Sequence, residues 1–139
     1  MQSVQTRGLE ELSRDLNGLL KKAPQMRRAL HEQAEGMLRS SLDASINARV
    51  NDRHGHVKSW QEARTGSGGG YAAVSTKADT FRTKGRRTDA VGALTNYIES
   101  GHGAARGRGF YRETGKTAER EFSALCVKFE AQLRKELEG

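Results

Sequence analysis

The chain offers a few groups whose types and spacing could do chemistry. The run GSGGG at 66–70 has the look of a phosphate-cradling loop. A phosphate loop, however, needs a following Lys-Ser/Thr and a helix, and a dinucleotide fingerprint needs its own spacing. Here Tyr71-Ala72-Ala73-Val74 follows, which is strand-like, so the glycines read as a hairpin loop. His54 and His56, with Asp52 close by, could begin a metal site. A site needs three or four convergent ligands, and neither His31 nor His102 is spaced to supply one. The lone cysteine, Cys126, falls inside an amphipathic helical pattern and reads as a packed thiol. The carboxylate pairs Glu10/Glu11 and Glu119/Glu121 lie on solvent faces with basic neighbours. No nucleophile stands beside a base in any recognisable motif. The expectation is a protein that is not an enzyme and uses no metal or cofactor.

One chemical feature stands out. Arg82, Lys84, Arg86, Arg87, Arg106 and Arg108 crowd into segments with few core-forming residues. The net charge of +7 divides as +2 over 1–50, +1 over 51–79, +5 over 80–112 and −1 over 113–139. A local cationic excess of this kind suits phosphates or an acidic protein surface. Only Phe81, Phe110 and Tyr111 lie near it, too few aromatics for a base-stacking platform.

These groups need a frame. A chain of 139 residues suits one domain, spanning 1–139. A hydrophobic fraction of 35% and an aromatic fraction of 6% point to helices with one apolar stripe each, or to a core completed by neighbouring copies. No stretch reaches the roughly 20 apolar residues of a membrane span, and the first residues lack the apolar region of a signal peptide.

Leu9, Leu12, Leu16, Leu19 and Leu20 predict a helix over about 6–22. Pro24 interrupts the pattern, and a second stripe from Met26 to Ile46 predicts a helix over about 25–49, with the proline near its first turn. VKSWQEAR and YAAVSTKA, separated by glycines, predict an antiparallel hairpin with Trp60 and Tyr71 on its strands. Residues 79–88 extend the sheet or form an exposed loop. Thr88 and Asp89 are placed to cap a short helix ending at Gly101, and 101–109 has no periodicity, as in a mobile loop. Finally, Phe122, Leu125, Phe129, Leu133 and Leu137 predict an amphipathic helix over about 115–137 that packs on the rest. Helices frame a glycine-rich β region, an α+β pattern.

The order of these features is similar to that of a known family. Trp60-Gln61-Glu62, then Gly69-Gly70-Tyr71-Ala72-Ala73-Val74, then Asn96-Tyr97-Ile98-Glu99 with Gly101-His102, then GFY and a terminal helix, follow one another over roughly 5–138. This succession resembles the tailed-phage tail-component family named for gene product ten of the phage HK ninety-seven. The loop before GFY lacks the prolines often found there, and Ser59 stands where a glycine is common. The resemblance implies a virion protein of the neck or upper tail, made in the host cytoplasm and acting in tail completion or head–tail joining. It also implies a ring of copies, often six, in contact with neighbouring neck, tail-terminator or tail-tube proteins and with passing DNA, and no membrane partner. The reading from another class is a cytoplasmic nucleic-acid-binding protein using the basic loops 82–108.

Overall fold

The computed structural model describes residues 3–5, 23–66, 71–102 and 105–138. Its elements run β1 (Ser3–Gln5), α1 (Pro24–Arg49), α2 (His56–Ser59), β2 (Gln61–Thr65), β3 (Ala72–Thr76), β4 (Phe81–Lys84) and β5 (Arg87–Ala90). They continue through α3 (Val91–Ser100), β6 (Gly101–His102), β7 (Ala105–Arg106) and α4 (Phe110–Glu138). The class is α+β, with antiparallel sheets throughout. The helix expected over 6–22 lies outside the described residues.

The long second helix follows its sequence pattern closely. Pro24 occupies the first turn, where its missing N–H interrupts no hydrogen bond. Leu30, Ala34, Leu38, Leu42 and Ile46, spaced four apart, form a fully buried ridge. Opposite, α4 buries Phe110, Thr114, Ala118, Phe122, Cys126, Phe129 and Leu133 at steps of three and four. The two helices and the sheet enclose one apolar core. The expected stripe holds at Phe122, Phe129 and Leu133, whereas Leu125 lies half-buried at the core's edge and Cys126 takes the inner position. The Leu137 side chain falls outside the described residues.

The main sheet has the order β1-β3-β2. All five residues of β3 are buried, as suits the centre strand of a sheet covered by α1. Its hairpin partner β2 pairs Gln61 with Thr76 and Thr65 with Ala72, so the glycine-linked hairpin is present. The expectation for Trp60 and Tyr71 needs correction, because each sits immediately outside its strand. His56–Ser59 is a helical turn that runs into Trp60, and the Asp52 carboxylate receives N–H bonds from Val57 and Lys58 (2.9 and 3.0 Å). That local cap outweighs the strand preference of Val57 and Trp60. Trp60 is buried all the same, while Tyr71 is only half-buried. Residues 67–70, whose glycines were expected to take positive φ, lie outside the described residues.

Three further expectations change. Residues 81–90 form a separate two-stranded hairpin. Thr88 and Asp89 lie on its second strand and do not cap α3, whose N-cap position is Ala90 without a side-chain bond. The segment 101–109 carries the short β6–β7 ladder, and α4 begins at Phe110, ahead of the expected 115.

Candidate functional site

The basic cluster begins on the β4–β5 hairpin. Its two-residue connection is Gly85-Arg86, and Gly85 has φ +65°, the positive value that the first position of a tight hairpin turn demands. The Thr83 and Thr88 hydroxyls are 2.8 Å apart across the ladder. Most residues of both strands are exposed, and at the hairpin's base Phe81 keeps 63% of its surface in solvent. Cross-strand pairing sets Arg82 opposite Asp89 but Lys84 opposite Arg87. Like charges directly opposed weaken a ladder; Asp89 relieves this partly through its 2.9 Å ion pair with Arg87.

This hairpin forms one wall of a groove of about 580 Å³. Arg82, Lys84, Arg87 and Asp89 line it from β4 and β5, while Trp60, Leu94, Tyr97 and Ile98 supply its apolar surface. The Arg82 guanidinium lies 5.5 Å from the Trp60 ring centroid, within cation–π range. Tyr97 is 46% exposed. The structure therefore divides the six predicted cations. Arg82, Lys84 and Arg87 share the groove, and Arg86 occupies the exposed turn. Arg106 on β7 and Arg108 just beyond it are exposed but do not line the groove. Sequence reasoning missed Leu94, Tyr97 and Ile98 as a surface; their i, i+3, i+4 spacing was the available signal.

Other conspicuous residues hold the fold together. Gln61 is buried, and its amide donates to the Val57 carbonyl (3.0 Å) and the Thr95 hydroxyl (3.1 Å) while its carbonyl accepts from the Tyr111 phenol. Arg39 donates to the backbone carbonyls of Gln61 (2.8 Å) and Lys58 (2.7 Å). Burial pushes the Tyr111 phenol well above the usual tyrosine range; Arg39 opposes the shift, and Glu99 and Glu62 reinforce it. The Glu99 carboxylate, also buried, accepts N–H bonds from Tyr111 (2.9 Å) and Arg112 (3.1 Å). It thereby satisfies two donors in the first turn of α4, where the helix dipole also favours a negative charge. The backbone reinforces this junction, since Arg108 and Gly109 donate to the Ile98 and Glu99 carbonyls. A Cβ on Gly107 would lie 2.7 Å from the Glu99 carbonyl oxygen, so only glycine passes there.

The remaining candidates resolve locally. Asp52 is committed to capping α2, and the His54 and His56 rings lie 5.9 Å apart. Among the described residues no three His, Cys, Asp or Glu side chains converge as a metal site would require. Gly66 donates its N–H to the Tyr71 carbonyl, closing the first hairpin. Cys126 is buried in α4, and His31 is buried and stacked on Phe122 with ring centroids 5.9 Å apart. Among the described residues no helix is long and apolar enough to cross a membrane.

No protein-family model, curated protein or solved structure matches the chain.

Proposed function

We propose that this protein is a structural subunit of a tailed phage, placed in the neck or upper tail, where copies assemble as a ring that serves tail completion or head–tail joining. The order of sequence features supports this reading, through its resemblance to the phage tail-component family. The structural observation that carries it is the β4–β5 hairpin. This hairpin stands apart from the three-stranded sheet, exposes most of its residues and sets Lys84 against Arg87 despite their repulsion. An isolated two-stranded ribbon is marginal in water, and cations held in an unfavourable register suit a contact made with another molecule.

The chain acts in this reading by contact and not by catalysis. Direct nucleic-acid binding draws less support, because only three of the six cations line the groove, whose lining also includes Asp89 and four apolar side chains. Deleting the gene from its phage should leave heads and tails unjoined, or tails incomplete, in electron micrographs of the lysate. Restoring the gene should restore whole particles. Normal particles without the gene would exclude the reading.

A further inference from the structure

The groove beside the β4–β5 hairpin combines two chemistries that one kind of occupant satisfies. Its apolar surface comes from Trp60 and from Leu94, Tyr97 and Ile98, which are spaced i, i+3, i+4 on α3. Its rim bears Arg82, Lys84 and Arg87, against the single acid Asp89. Phosphate recognition needs cations and gains little from an apolar floor, while a purely apolar partner gains nothing from the rim. We infer that the groove receives an acidic segment of a partner protein, with one large apolar side chain seated on Tyr97, Leu94 and Ile98 and flanking carboxylates paired to Lys84 and Arg87.

Charge decides between a foreign partner and a second copy. The chain carries +7 overall, and the groove's own charged lining, Arg82, Lys84 and Arg87 against Asp89, carries +2 of it, with Arg86 on the adjoining turn. Apposing this face with another copy brings like charges together, which disfavours the encounter. An acidic partner is steered towards the same face. The site is also partly preorganised. Arg82 is held over the Trp60 ring, and Arg87 is oriented by Asp89, so less side-chain freedom is lost on binding. Arg87 can keep Asp89 and still present its remaining guanidinium donors, since five N–H groups are available to it.

This inference rests on the reading of the chain as an assembly subunit, but its test reads the groove alone. The probe is a short fluorescein-labelled peptide in which one phenylalanine is flanked on both sides by glutamates, titrated with the full-length protein at roughly 0.15 M salt. Anisotropy should show saturable binding. Replacing the peptide's phenylalanine by alanine should weaken it by about tenfold or more, as should Tyr97→Ala in the protein. The pair Lys84→Glu and Arg87→Glu should abolish it, whereas Arg106→Glu with Arg108→Glu should retain most of it. Circular dichroism checks that each variant is folded, and Tyr97, being half in solvent, is a substitution the core tolerates.

Absence of binding would overturn the inference. So would equal binding of the peptide without phenylalanine, which would mean charge attraction without a seat. Displacement of the peptide by duplex DNA at lower concentration than by unlabelled peptide would also overturn it, in favour of a phosphate site. Any of these outcomes leaves the deletion micrographs free to succeed, so failure of the groove and failure of the assembly role are separable.

Discussion

Glu99 belongs to the Asn96-Tyr97-Ile98-Glu99 run that carries part of the family resemblance, at the end of α3. Its carboxylate instead closes the N-terminus of a helix that begins 11 residues later, through bonds to Tyr111 and Arg112. Replacing it by alanine strands two N–H groups of a buried first turn. The expected loss is about 1–3 kcal/mol in urea unfolding, with Glu99→Gln recovering part of it because the amide oxygen still accepts one bond. A Glu99→Ala protein as stable as the parent would show that the cap is not needed. The same lesson holds at Gln61, which joins Val57, Thr95 and Tyr111. Its neighbours Trp60 and Glu62 made it conspicuous, but two of its three partners lie 34 and 50 positions away in the chain, and no local pattern encodes such bonds.

Elements with a burial pattern were legible, and those without one were not. The stripes of α1 and α4 repeat every three or four residues because one face of each is buried, so both helices could be read directly. The β2–β3 hairpin was legible from its glycines, but the start of β2 was misread by a few residues because Asp52 winds 56–59 into a helical turn. The second hairpin, FRTKGRRTDA, left sheet extension and exposed loop open, because most of both its strands faces solvent and no alternation is required. The start of α4 was obscured by Gly107, Gly109 and Gly115, which resemble loop residues. One consequence of the α4 packing is direct. Phe129 is 2% exposed, so Phe129→Ala should cost roughly 3–5 kcal/mol. Chemical denaturation would read the cost, and a loss below about 1 kcal/mol would mean that the core collapses around the gap or is not closed there.

At the scale of the whole molecule, one core formed by α1, α4 and the β1-β3-β2 sheet supports a polar, cationic periphery. The helices set the frame, and α3 with the β4–β5 hairpin forms the surface on which the excess charge meets exposed apolar side chains. The class of fold followed from the order of helical stripes and glycines. The groove did not, because it joins Trp60, expected on a strand, to a hairpin read as a sheet extension or a loop and to a short helix whose outer face was unassigned. Under the proposed role the protein resides in the virion of a tailed phage. Quantitative mass spectrometry of gradient-purified particles from a phage carrying the gene is the sharpest test of that role. The expected result is the protein in every preparation at a small, fixed copy number relative to the major capsid protein, as a closed ring requires. Its absence from purified, infectious particles, with the protein left in the soluble lysate, would contradict it.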